Sequence, residues 1–160
     1  MRRFYPEFVG FPGAAGLFLL RAVVGSALMF HGFSKIQNPF GWMGPDSWAP
    51  PPLQALASLS EFGGGLALVL GLLTPLACLG ILCTMGTAMT MVHLAHGDPF
   101  VAGRGGGGSY ELALVYFSVA LTILLLGPGK YSIDALLFGK PPKPEALPEP
   151  TAAPKVESTV

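Results

Sequence analysis

Three basic residues that could take part in chemistry occur within one long apolar stretch. Segment 14–35 is long enough to cross a bilayer, yet it contains Arg21 near its middle and His31 and Lys35 towards its end. A cation in hydrocarbon costs about 2.5–3.5 kcal/mol on insertion scales, so these side chains need partners from elsewhere in the chain. Histidine also titrates near neutral pH, which suits it to proton transfer.

Polar residues of similar type border two later apolar segments. His93 and His96 lie at the end of the third segment, three positions apart and therefore on one helix face. Tyr110 and Glu111 begin the fourth. We expect all four, with the basic end of the first segment, to meet at one end of a helical bundle. They could form a functional pocket there, or His96 and Tyr110 could simply anchor helix ends at the membrane interface.

Glu61 lies within the second apolar segment, with small residues on its helix face. The rise of a helix places it about 7 Å from Arg21 along the bundle axis. The sequence therefore predicts an Arg21–Glu61 ion pair near the middle of the membrane. The pair could fix helix register without any chemistry, or it could help to bind a substrate.

These residues give a predicted site with two roles. Proton transfer is assigned to His31, His93 and Glu111. Substrate binding is assigned to Arg21, Lys35, Glu61, Tyr110 and His96. A metal ion or haem on the histidines is a sharper alternative, but the H-x-x-H spacing of His93 and His96 is weak evidence, and we recognise no haem or metal motif.

The composition indicates a membrane protein. Hydrophobic residues make up 51% of the chain and charged residues only 11%, less than half the share of a soluble domain. The net charge is zero, and no basic patch suggests nucleic acid binding. Four continuous apolar segments, 14–33, 53–73, 75–96 and 109–126, predict an all-α protein whose four transmembrane helices form a bundle. Because the segments are not alternating, strands are disfavoured.

The connections predict the rest of the architecture. A proline-rich and tryptophan-containing loop, 36–52, is expected to cover one end of the bundle. Gly71, Thr74 as N-cap and Pro75 predict a tight hairpin between the second and third helices. Residues 97–108 form a glycine-rich connector, either a lid or a plain mobile link. Ser132 is expected to cap a short interfacial helix over 133–138.

The distribution of basic residues predicts the orientation. Five of them fall on the side of the N terminus: Arg2, Arg3, Lys130, Lys140 and Lys143. Lys35 and Arg104 fall on the opposite side. The positive-inside rule then places both termini in the cytoplasm of a bacterial cell, with the protein in the inner membrane. The chain divides into an N-terminal segment 1–13, a membrane domain 14–138 and a proline-rich tail 139–160 that is expected to be disordered.

Several motifs resemble the DoxX family of small bacterial membrane proteins. They are HGFSK at 31–35, SEFGGGLALVLGLLTPLA at 60–77, VHLAHG at 92–97, GSYELAL at 108–114 and GPGKYSID at 127–134. Pro75 departs from the family, which often has arginine there, and the tryptophan loop and the tail look particular to this chain.

The resemblance implies a four-helix membrane bundle and a link to redox chemistry. The family is related to the membrane subunit of archaeal thiosulfate:quinone oxidoreductase, and some bacterial members are thought to join sulfur-handling or superoxide-detoxifying partners. We therefore expect a subunit of a membrane oxidoreductase complex, without a cofactor of its own, that works with a quinone and forms homo- or hetero-oligomers. A small proton-coupled transporter and a non-catalytic membrane scaffold are the alternatives.

Overall fold

The structure, a computed structural model, describes residues 11–139, which contain helices and no strand. The helices are α1 (Gly13–Gln37), α2 (Pro51–Leu70), α3 (Thr74–His96), α4 (Glu111–Leu126) and α5 (Ile133–Phe138). The predicted all-α class is confirmed. The first three helices are each long and apolar enough to cross a membrane, whereas α4 is an apolar helix of 16 residues. The predictions for residues 1–10 and for the tail from 140 onwards lie outside the described residues.

Helices α1 and α2 run antiparallel with their backbones in close approach. A Cβ atom added at Gly25 would lie 2.6 Å from the carbonyl oxygen of Gly65, and one at Gly32 would lie 2.5 Å from the backbone nitrogen of Phe62. Only glycine permits this distance between the two backbones. The close contact holds α2 in a fixed register against the half of α1 that carries the polar residues.

The α2–α3 hairpin is as tight as the sequence predicts, but another residue caps it. Gly71 and Leu73 both have left-handed backbones, with φ of 65° and 48°. Thr74 is the first residue of α3 and provides no cap. The Asp134 carboxylate instead accepts hydrogen bonds from the amides of Leu73 and Thr74, each at 2.8 Å. The start of α5 thereby fastens the hairpin.

Helix α5 begins as predicted. The Ser132 hydroxyl accepts a hydrogen bond from the Ala135 amide at 3.0 Å, and the Asp134 amide donates to the Gly71 carbonyl at 2.8 Å. We call the end of the bundle formed by residues 71–74 and 127–139 the hairpin end. We call the opposite end, formed by residues 38–50 and 97–110, the loop end.

Two of the long helices contain a π-helical turn, in which an extra residue widens the coil. One covers Leu59–Gly63 in α2 and the other Ala88–His93 in α3. Turns of this kind are rare and are often found at functional sites. Here one contains Glu61 and the other ends at His93, so two of the polar residues singled out above lie on widened turns.

The apolar core lies between the four longer helices. It includes Leu28 of α1, Leu68 of α2, Ile81 of α3 and Ile123 of α4, which are all completely buried. Many large apolar side chains on the outer faces are exposed. This combination of a small core and an apolar exterior is what a bundle in lipid requires.

Candidate functional site

A cavity of about 520 Å³ lies between α2 and α3 at the loop end. Its walls are mostly apolar. Lys35, Glu61 and His93 provide its basic and acidic side chains, and Trp42 and Trp48 line it from the 38–50 loop. A mostly apolar pocket of this size with a few converging polar groups has the usual character of a site for a small organic molecule.

The Lys35 ammonium is bound to the Glu61 carboxylate. Nζ of Lys35 lies 2.7 Å from each of the two carboxylate oxygens. The Glu61 side chain is only 5% exposed, and that of Lys35 is 26% exposed. The cation therefore reaches down from the end of α1 to neutralise an acid near the middle of α2. The predicted Arg21–Glu61 pair is wrong, because Lys35 takes the place expected of Arg21.

Arg21 belongs to the hairpin end instead. Its guanidinium is completely buried and donates a hydrogen bond to the carbonyl of Tyr131, in the segment that leads into α5. It also interacts electrostatically with Asp134. Arg21 thus joins the first helix to the segment that caps the α2–α3 hairpin. It does not line the cavity.

The tryptophan loop is fastened to both the ion pair and α2. The Lys35 ammonium lies 4.7 Å from the centre of the Trp42 ring, within the range of a cation–π contact. The Trp42 indole donates to the Gln54 carbonyl at 3.0 Å, and the buried Gln54 amide donates to Ala49 at 2.8 Å. The loop that lines this side of the cavity is therefore held in a defined position.

His93 enters the cavity wall from α3, at the end of its π-helical turn. Its Nδ1 atom lies 2.8 Å from a carboxylate oxygen of Asp98, at the start of the glycine-rich connector. Lys35 and His93 thus line one cavity, and the acid in its wall is Glu61 and not Glu111.

His31 lies on a different side of α1. It is exposed, and its ring makes an edge contact with the ring of Tyr116 of α4, with 5.8 Å between ring centres. Tyr116 is buried and interacts electrostatically with Glu61. His31 does not line the cavity.

The other predicted site residues are not in the cavity wall. His96 is exposed and contacts the carbonyl of Val92 through Nδ1. The Tyr110 ring packs on Phe100, with 5.4 Å between centres, and Glu111 is exposed at the first turn of α4. Within residues 11–139 no three or more ligand-type side chains group together, so the proposed set of His31, His93, His96 and Glu111 is not assembled.

Four residues of the site were not identified from the sequence. From the sequence, Trp42 is only part of the 36–52 loop and Gln54 only part of the second apolar segment, although an aromatic and an amide near a buried charge are a usable signal. From the sequence alone, Tyr116 cannot be distinguished from an ordinary aromatic residue of the helix core. Asp98 falls in the glycine-rich connector, and only its spacing of five residues from His93 indicates a contact.

Fold and site together define a small all-helical membrane protein with a covered, partly polar cavity between two of its helices. The DoxX family profile matches residues 16–94, a range that includes Lys35, Glu61 and His93, and this match supports the assignment of the chain to the DoxX family. An uncharacterized protein of Haemophilus influenzae is 29% identical over 142 residues, which cover 88% of this chain and 98% of that protein. No solved structure gives a significant match.

Proposed function

We propose that this protein is the membrane subunit of a redox system and binds a quinone in the cavity beside Lys35 and Glu61. The observation that carries the proposal is the cavity itself. It combines mostly apolar walls with a cation, a carboxylate and an imidazole, and tryptophans cover it. A quinone head group needs an apolar planar pocket with hydrogen-bond donors for its two oxygens, and Lys35 and His93 can supply such donors.

The cavity also suits a ligand that comes from the bilayer. Leu53, Leu56 and Cys83 at its wall are exposed on the outer surfaces of α2 and α3, where lipid would lie. A quinone carries a long apolar tail, which could remain in lipid while the head group enters between the two helices. A purely water-soluble substrate would have no use for this apolar side.

The roles of the residues follow from their contacts. Lys35 would donate to a quinone oxygen and stabilise the charge that develops on reduction, while Glu61 holds its ammonium in place. His93 would transfer protons. Electrons would come from a partner oxidoreductase at the membrane. His31 and Glu111 lie outside the cavity wall, and the proposal gives neither a direct contact with the quinone.

The proposal includes the membrane topology that the sequence predicts. Four spans require α4 to cross the bilayer, and its 16 residues give a length of about 24 Å, against about 30 Å of hydrocarbon. Local thinning of the bilayer can absorb such a mismatch. With both termini in the cytoplasm of a bacterial cell, the loop end and its cavity face the outer side of the inner membrane.

Two native reporters test quinone binding. The only two tryptophans of the chain, Trp42 and Trp48, both line the cavity, as does the exposed thiol of Cys83, whereas Cys78 is buried. A short-chain quinone added to purified protein in detergent should quench tryptophan emission saturably and slow maleimide labelling of Cys83.

The variant series decides whether these effects come from the site. Lys35→Met and the double variant Lys35→Met/Glu61→Gln should each weaken quinone binding at least tenfold. Glu111→Gln is the matched control, because this carboxylate is exposed and outside the cavity wall. Quenching that does not saturate, or that is equal in all variants, would remove the quinone proposal.

A buried, cation-paired carboxylate also supports a second candidate, a proton-coupled carrier. Liposomes that contain the purified protein distinguish the two. A carrier would move solute or protons down an imposed pH gradient without any reductant, and Glu61→Gln would abolish this flux. The redox proposal expects no such flux.

A further inference from the structure

The contact between His93 and Asp98 determines which nitrogen of the imidazole is free. A carboxylate can only accept a hydrogen bond, so Nδ1 of His93, at 2.8 Å from Oδ2 of Asp98, must be the donor. The proton on Nδ1 leaves Nε2 with its lone pair when the ring is neutral. The partner of one ring nitrogen therefore sets the chemistry of the other.

The far end of the glycine-rich connector packs against the Asp98 carboxylate. A Cβ atom added at Gly108 would lie 2.6 Å from Oδ1 of Asp98, so a larger residue at 108 would displace the carboxylate. The two ends of the connector are also joined, because the Tyr110 amide donates to the Pro99 carbonyl at 3.4 Å and the Phe100 and Tyr110 rings pack together. The backbone at Gly108 thus lies directly behind the Asp98 carboxylate and leaves no room for a larger residue there.

The second histidine of α3 does not compete for this carboxylate. Nδ1 of His96 contacts the Val92 carbonyl instead, and the His96 side chain is exposed. Of these two histidines, His93 is the one that lines the cavity and binds an acid, and this acid, Asp98, is not itself a lining residue.

We propose that Asp98, backed by Gly108, is a positioning residue that keeps the proton of His93 on Nδ1 and presents Nε2 to the cavity. This inference rests on the proposed quinone function for its purpose. During reduction the partner enzyme supplies two electrons to the quinone. Protonated His93 gives the proton on Nε2 to one quinone oxygen, and a second proton from water on the outer side reaches the other oxygen, which completes the quinol. His93 then takes up a new proton from the outer side, and Nδ1 stays bonded to Asp98 throughout.

The protonation pattern can be measured without any quinone. The chain has three histidines, His31, His93 and His96, so ¹⁵N NMR of histidine-labelled protein in mildly alkaline detergent solution can assign each ring. We expect neutral His93 to carry its proton on Nδ1. In Asp98→Ala and in Gly108→Ala the proton should move to Nε2. Asp98→Asn should keep it on Nδ1, because the amide oxygen still accepts.

Gly103→Ala is the control for changes to the connector, since a Cβ atom there would meet nothing within 4 Å. It should leave the His93 signals unchanged. Unshifted His31 and His96 signals show that each variant is folded. A wild-type His93 protonated on Nε2, or an Asp98→Ala variant that keeps the wild-type pattern, would overturn the proposal. A shift in Gly103→Ala as large as in Gly108→Ala would overturn the role of Gly108.

Turnover measurements test the role of Asp98 separately from the proposed quinone function. With a quinone and the partner reductant, Asp98→Ala should lower kcat at least tenfold and change KM for the quinone by less than threefold, and Asp98→Asn should restore much of kcat. If no variant and no wild type reduces quinone, the functional proposal fails while the NMR result still decides the role of Asp98.

Discussion

Glu61 accepts a hydrogen bond from Lys35 at each of its carboxylate oxygens, both at 2.7 Å, across 26 residues of sequence. The Glu61 carboxylate is almost fully buried on a widened turn of α2, and Lys35 is a partly exposed side chain near the end of α1. The two partners therefore differ in how much each depends on the other. The buried carboxylate has little access to water, whereas the lysine chain can swing towards the loop end.

This asymmetry predicts unequal effects of single substitutions on stability. Lys35→Met leaves a buried carboxylate without its cation and should destabilise the protein by about 3 kcal/mol. Glu61→Gln should cost less, since the freed ammonium can move towards solvent. The double variant Lys35→Met/Glu61→Gln should be more stable than Lys35→Met alone. Thermal unfolding in detergent measures all three, and equal losses for the two single variants would contradict the prediction.

The close approach of α1 and α2 predicts that an alanine substitution lowers stability at one glycine of α1 and does not lower it at another. In Gly25→Ala the new methyl group would lie 2.6 Å from the Gly65 carbonyl oxygen, so the helices must separate, at a cost of about 1–3 kcal/mol. Gly16 of the same helix has open space around it. Gly16→Ala should therefore be neutral or stabilising by up to about 1 kcal/mol. Melting temperatures of the two variants give the comparison, and similar values would refute it.

The cap from α5 predicts that a residue far along the chain stabilises the hairpin. Asp134→Ala removes the acceptor of two amide hydrogen bonds at the start of α3, which should cost about 1–2 kcal/mol. Hydrogen exchange should rise at the amides of Leu73 and Thr74 first. Asp46, an exposed acid of the tryptophan loop, offers the control Asp46→Ala. Protection at 73 and 74 that survives in Asp134→Ala would contradict this assignment.

Arg21 and Gly71 give a further prediction at the same end. Gly71 has a φ of 65°, and the site of a Cβ atom on it is occupied by a guanidinium nitrogen of Arg21. Gly71→Ala should therefore combine backbone strain with displacement of Arg21, and the loss should exceed the roughly 1 kcal/mol expected for a left-handed backbone alone. In an Arg21→Met background the added cost of Gly71→Ala should shrink but stay above that value, because the new Cβ atom would also lie 2.9 Å from the α-carbon of Ser132. An unchanged cost would show that the two residues are independent.

The sequence was sufficient for features that depend on local patterns. The apolar segments predicted the helices, Gly71 predicted the hairpin, and Ser132 predicted the start of α5. The pairing of Glu61 was not predictable in the same way. The estimate assumed a regular helix and compared only the heights of two α-carbons, but a lysine side chain extends far from its backbone and Leu59–Gly63 is not a regular turn.

The contact partners of Arg21 lie in a segment more than a hundred residues further along the chain. Nothing in the local sequence shows that residues 127–134 fold back under the hairpin, where the Tyr131 carbonyl and Asp134 lie near the guanidinium. The sequence does show a cation near the middle of the first apolar segment and an acid in a short interfacial helix. Connecting them required the tertiary structure, because helix periodicity gives faces and not partners.

The widened turn at Leu59–Gly63 has a consequence for chain length. If one residue were deleted there, α2 could close into an ordinary α-helix without losing its backbone hydrogen bonds. Because a widened turn takes up its extra residue within about one turn of helix, the residues on both sides of the deletion would keep their helix faces. Gln54 and Ala57 would stay at the cavity wall, and only the turn that carries Glu61 would contract. A one-residue deletion should therefore be tolerated in this turn, whereas in a regular turn of α2 it would rotate one part of the helix against the other by about 100°.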